Sequence, residues 1–123
     1  EVENGFEAVL YFNARRLKPA VEGLPELHNE VGFAEAIAFL SSGAVVVTNS
    51  YHGAYWATLL GRRVVIVDVY SSKLRQFQHR PAYAEDGDWK RSASSATAWS
   101  EALIACRAAN TGFFDRVMDR IAA

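Results

Sequence analysis

Two short runs, Ala44-Val-Val-Val-Thr48 and Val64-Val-Ile-Val-Asp68, constrain this chain more than any other feature. Neither alternates apolar with polar residues, so neither suits a strand with one wet face. Both suit strands covered on two sides, as in a parallel sheet. Between them, Tyr51 to Leu60 has no breaker after Gly53, and Gly61 stands where a helix C-cap belongs. Strand, short helix, strand with tight connections is a βαβ unit, whose strands run parallel through a right-handed crossover. The expectation is therefore an α/β domain, three-layered and Rossmann-like, around a short parallel sheet.

The flanking segments fit that frame. Phe6 to Phe12 is apolar and aromatic and reads as a strand. Asn13 to Leu27 holds Pro19, Gly23 and Pro25 and reads as loop with one helical turn at most. Asn29 is positioned to cap the next helix, where Phe33, Ile37 and Leu40 recur at i, i+4 and i+7 with Ala36 beside them. Gly43 is its expected left-handed stop. Ser71 or Ser72 caps a further short helix reaching about Gln78. His79 to Ala98, with Pro81, Asp86-Gly87 and a run of small residues, reads as a long surface loop. Two helices are expected to close the chain: one with Trp99, Leu103 and Cys106 on a face, one with Phe113, Val117 and Ile121, capped by Thr111.

The chain has 123 residues, and half of them are hydrophobic, enough for a single domain with a real core. Thirteen basic and fourteen acidic residues leave a formal net charge of -1, no footprint for nucleic acid or an anionic membrane. A single cysteine, Cys106, cannot form an internal disulfide. No apolar run approaches the roughly 20 residues a transmembrane helix needs. Glu1 to Asn4 is acidic and polar, so the chain opens without a signal peptide and a cytoplasmic domain is expected; a start at Glu1 rather than methionine reads as a processed chain or a piece of something longer.

In a parallel sheet, ligands bind outside the carboxyl ends of the strands. Two segments leave such ends: Thr48-Asn49-Ser50-Tyr51-His52-Gly53 and Asp68-Val69-Tyr70-Ser71-Ser72-Lys73. Both run into helix starts, where free N–H groups and the dipole favour an anion. Gly53 would let a ligand approach the backbone. Asn49, Ser50, Ser71 and Ser72 offer polar groups, His52 an imidazole and Lys73 a positive charge. A phosphate or carboxylate pocket follows. Ordinary capping also accounts for Thr48, Asn49, Ser50 and one of Ser71 and Ser72. Tyr51, Tyr55 and Trp56 read as packing, Arg62 and Arg63 as solvated, and His28 and His79 as loop residues. No phosphate-loop or dinucleotide fingerprint occurs, no serine elbow, and no metal-ligand spacing among His28, His52, His79 and Cys106.

The ordered series Ala44-Val-Val-Val-Thr-Asn-Ser-Tyr-His-Gly53, Leu59-Leu-Gly-Arg-Arg-Val-Val-Ile-Val67 and Ser71-Ser-Lys-Leu74 resembles the polysaccharide pyruvyl transferase family. There, a strand ends in a Thr-x-x-x-His-Gly type motif opening a helix, a short turn leads to the next strand, and a Lys or Arg follows beyond it. The likeness covers roughly residues 29 to 78. It implies a two-domain fold like that of the GT-B glycosyltransferases, this chain being the C-terminal, donor-binding half. The implied reaction moves pyruvate from phosphoenolpyruvate, a donor substrate rather than a cofactor, to a sugar of a cell-surface polysaccharide. His52 would be the catalytic residue, with Lys73 and the backbone at Gly53 near the donor's anionic groups. The isolated chain, lacking the N-terminal domain that contacts the saccharide acceptor, would be inactive. One position departs: many members carry Arg where this chain has Ser50, and serine cannot replace a bidentate cation. A GT-B glycosyltransferase using a sugar nucleotide, or a non-catalytic binding module of the same fold, would share the same sheet edge.

Overall fold

In the computed structural model, which describes residues 5–84 and 88–122, the two β-branched runs lie side by side in a five-stranded sheet. The strands are β1 (Phe6–Phe12), β2 (Glu26–His28), β3 (Gly43–Thr48), β4 (Arg63–Ile66) and β5 (Ala82–Tyr83). Every pairing is parallel, in the order β2-β1-β3-β4-β5. Val47 pairs with Leu10 on one side and Val65 on the other. The helices are α1 (Phe33–Ser41), α2 (Tyr51–Leu59), α3 (Trp89–Ser94) and α4 (Ala102–Ala122), with a 3-10 turn at Ser72–Arg75.

Successive side chains of a strand point to opposite faces, so an unalternating apolar run must bury both. This sheet does so. Val9, Tyr11, Val46, Val64 and Ile66 meet Ala36 and Leu40 of α1 and Ala54 and Ala57 of α2 in one core. Ala8, Leu10, Val45, Val47 and Val65 meet Val21, Ala84 and Ala93, with Trp89 of α3 against them, in the other. Each fully buried valine or leucine contributes about 1.5–3 kcal/mol relative to exposure. The α/β class, the parallel sheet and the pairing of β3 with β4 agree with the sequence reading. Among the described residues no helix is long and apolar enough to cross a membrane.

Several local expectations are corrected. Asn29 does not cap α1: Gly32 holds the cap position without a side-chain bond, and Asn29 Oδ1 instead accepts from the Ala14 N–H. Gly43 is not a helix stop but the first residue of β3, and a Cβ there would lie 2.8 Å from a Val9 methyl. Gly61 does end α2 with φ of 75°. Arg62 is not solvated; its Nη2 donates to the Ser41 carbonyl at the end of α1, 2.9 Å away. The stretch expected as loop contains β5 and α3, the latter capped by Asp88, while the Asp86-Gly87 turn lies outside the described residues. The two closing helices are one. Gly112 sits within α4 without a positive φ, so it weakens the helix but does not terminate it, and Thr111 caps nothing. Trp99 precedes α4, its indole N–H donating to the Arg80 carbonyl.

The seat of α2 decides where the site residues lie. A Cβ on Gly53 would stand 2.5 Å from Cδ2 of Tyr11 and 3.1 Å from Thr48 Oγ1, so the first turn rests directly on the end of the sheet. Gly53→Ala is therefore expected to cost about 1–3 kcal/mol through overpacking. Gly112→Ala, whose nearest neighbour would be an Arg116 nitrogen at an ordinary 3.5 Å, should stabilise by up to about 1 kcal/mol through helix propensity. Thermal unfolding of the two variants checks the opposite signs, and a Tyr11→Leu background should reduce the cost at Gly53.

Burial also raises the pKa of the Tyr11 phenol above its ordinary value. The folded chain thus holds that proton more tightly than the unfolded chain. The associated stability is complete below the ordinary tyrosine pKa and is lost as pH rises through the higher folded value. Unfolding midpoints at neutral and strongly alkaline pH should fall more for wild type than for Tyr11→Phe.

Candidate functional site

Because all strands are parallel, their carboxyl ends gather at one edge, and ligands in such sheets bind where the strand order reverses. Here the reversal falls between β1 and β3: the chain leaves β1 towards β2 and leaves β3 towards β4, on opposite sides. The connections diverge at this point, which is flanked in sequence by the residues that follow the two strands.

Asn49, directly after β3, is fully buried. Its Oδ1 accepts from the Asn13 N–H at 2.8 Å, bridging the ends of β1 and β3. That backbone donor fixes which amide atom is the oxygen, leaving Nδ2 on the other side, where no protein group accepts from it. Asn13 Nδ2 donates in turn to the Tyr70 hydroxyl at 2.9 Å. The Arg16 guanidinium lies over the Tyr70 ring, 4.2 Å from its centroid. Exposure rises outward along this series, from buried Asn49 through half-buried Asn13 and Tyr70 to exposed Arg16.

The start of α2 forms the other part of the edge. Ser50 is its N-cap; the hydroxyl accepts from the Gly53 N–H at 3.1 Å, and the residue is buried. Thr48 Oγ1 accepts from the Ser50 N–H. The space that Gly53 was expected to leave for a ligand is occupied by the Tyr11 ring. Ser50 and Gly53 are thus committed to seating the helix. His52 is exposed one turn out, within a row of rings: Phe33 edge-on to Trp56, Trp56 beside His52 at 5.6 Å, His52 edge-on to Tyr51 at 5.7 Å, and Tyr51 stacked on Phe77 at 4.9 Å. Lys73 Nζ lies 4.7 Å from the centroid of the same Tyr51 ring. Ser71 caps the 3-10 turn by accepting from the Lys73 N–H, whereas Ser72 is exposed at its start.

The structure therefore brings His52 and Lys73 together around Tyr51, keeps Ser72 accessible on the same loop, uses Ser50, Gly53 and Ser71 internally, and buries Asn49 with a free donor. Sequence reasoning missed Asn13 and Arg16, and placed Tyr70 at the carboxyl edge without a role. Only the pairing of β1 with β3 brings Asn13 to Asn49, and no local signal announces which strands are neighbours. Among the other histidines, His28 Nδ1 accepts from the Glu30 N–H and His79 lies edge-on to Trp99. Among the described residues no three His, Cys, Asp or Glu side chains group as a metal site requires.

A second depression, about 190 Å³, lies between α2 and α4, with Tyr55, Thr58, Phe77, Cys106 and Asn110 in its wall. Gln78 and His79 also line it, and the Tyr55 hydroxyl contacts Cys106 Sγ at 3.1 Å. That hydrogen bond, then burial, holds the Tyr55 phenol above the usual tyrosine range. Lys73 and His52 do not line it. Compared with protein-family models, with curated proteins and with solved structures, the chain gave no match in any of the three.

Proposed function

We propose that this chain is the donor-binding part of a transferase that moves pyruvate from phosphoenolpyruvate to a sugar of a cell-surface polysaccharide. In this proposal His52 is the acid and Lys73 a contact to the donor's phosphate or carboxylate. The supporting observation is that an exposed imidazole and an ammonium group both rest on the Tyr51 ring at the carboxyl edge of the sheet. Two further features fit an anionic donor. The Ser50 cap takes only the Gly53 N–H, so the N–H groups of Tyr51 and His52 at the helix start have no helical acceptors. The exposed Ser72 hydroxyl lies next to Lys73 in the chain.

Ketal formation at such a site balances as follows. An imidazolium proton passes to the methylene carbon of the enol, converting it to a methyl group and leaving a cationic carbon. One sugar hydroxyl attacks that carbon and returns its proton to the imidazole. A second hydroxyl of the sugar then displaces phosphate, which leaves with the remaining proton. Histidine suits the proton transfers because its ordinary titration range spans neutral pH. Lys73 supplies a point charge that steadies the departing phosphate. The acceptor belongs to a preceding domain of a GT-B-like pair, and the chemistry takes place in the cytoplasm.

Phosphoenolpyruvate should stabilise the 123-residue chain against heat; at a hundredfold excess over Kd the gain is about 2.7 kcal/mol. Lys73→Met should remove most of that gain. In the longer enzyme, His52→Gln should bind the donor yet release no phosphate in the presence of acceptor. Stabilisation by uridine or guanosine diphosphate sugars, with none by phosphoenolpyruvate, would instead assign a glycosyltransferase. Undiminished transfer by the His52 variant would remove it from the acid role.

A further inference from the structure

We propose that the crevice between the ends of β1 and β3 is a separate oxyanion subsite, in which Asn49 Nδ2 donates to a phosphoryl or carboxylate oxygen and Arg16 supplies the opposing charge. It lies beside the His52–Lys73 cluster, uses different residues, and does not depend on pyruvyl transfer being the reaction.

Three observations converge on it. The first is topological: this is the point of the parallel sheet at which the strand order reverses. The second is the Asn49 amide. Buried donors in folded proteins are almost always paired, and Asn49 is fully buried with Nδ2 lacking any protein acceptor. Its orientation is not free to change, because the Asn13 N–H requires the oxygen at the opposite position. The other buried orphan, Arg62 Nε, sits at the end of α1, where the same guanidinium binds the Ser41 carbonyl; its function is to hold that helix end. The third is Arg16. Its side chain is exposed and stacked on Tyr70, and among the described residues it forms no ion pair, whereas neighbouring Arg15 pairs with Glu30.

Asn49 sets the class of ligand by offering a donor, and Arg16 narrows that class to anions, because a planar guanidinium matches a carboxylate or phosphoryl group with two parallel hydrogen bonds. Tyr70 links the two groups: its hydroxyl is held by Asn13 Nδ2 and its ring lies under Arg16.

The direct test is the side-chain amide signal of Asn49 in a nitrogen-15-labelled chain, titrated at constant ionic strength with inorganic phosphate and, separately, with pyruvate. A saturable shift of the Asn49 pair is expected with at least one, and the arm that responds identifies phosphoryl or carboxylate as the preferred group. Asn49→Asp keeps the acceptor for Asn13 but replaces the donor with a negative charge, and should weaken binding at least about tenfold when followed through the Asn13 and Tyr70 backbone signals. Arg16→Met, at an exposed position that leaves the fold intact, should weaken it about fivefold or more and carries the test should Asn49→Asp not fold. An Asn49 signal unmoved by both anions, or equal affinity in wild type and Arg16→Met, overturns the proposal and leaves the amide as an internal hydrogen-bonding group.

Discussion

The first turn of α2 can lie on the end of the sheet only because Gly53 has no side chain where the Tyr11 ring passes. That contact joins β1, β3 and α2 at one point: Tyr11 pairs in register with Thr48, Thr48 accepts from the Ser50 N–H, and Ser50 caps the turn containing Gly53. His52 and Asn49 take their places from this seat. His52 is turned outward because Gly53 and Ala54 are turned inward, and Asn49 reaches the end of β1 because β3 and β1 lie side by side. Gly53 thus supports the site by packing, not by admitting a ligand to the backbone.

Much of the frame is legible in the chain. Runs such as Val45 to Val47 and Val64 to Ile66, apolar at every position, can only be strands covered on both faces, and the two cores divide their side chains alternately. The capping residue Ser50 and the stop Gly61 mark α2 correctly. Legibility ends where tertiary packing overrides local signals. Gly43 looked like a helix terminus, but it is a strand residue made necessary by Val9. Thr111 reads as an N-cap, yet α4 runs through it and through Gly112, because a glycine inside a helix costs only about 1 kcal/mol relative to alanine. β5 is too short to carry a pattern. The site divides in the same way: His52, Lys73, Asn49 and the position of Tyr70 follow from the βαβ unit, whereas Asn13 and Arg16 depend on strand order, which no segment encodes alone.

With a net charge near zero, the proposed anion recognition rests on local groups. Field steering by a basic surface is absent from a chain with a formal charge of -1. What remains is a helix start, one ammonium over Tyr51, one guanidinium over Tyr70, and a buried amide donor after β3. Both cations rest on aromatic rings, which position them without neutralising them. The α2–α4 depression, by contrast, offers a tyrosine–cysteine pair and little charge.

The central claim is that the carboxyl edge of this sheet, at α2 and the β1–β3 crevice, is where a small anion binds. A crystal structure of the chain grown with phosphoenolpyruvate tests it most directly. The donor is expected against the first turn of α2, within reach of Lys73 and His52 or with an oxygen on Asn49. Phosphoenolpyruvate seated instead between α2 and α4 beside Tyr55 and Cys106, or a saturating concentration leaving the carboxyl edge empty, would contradict it.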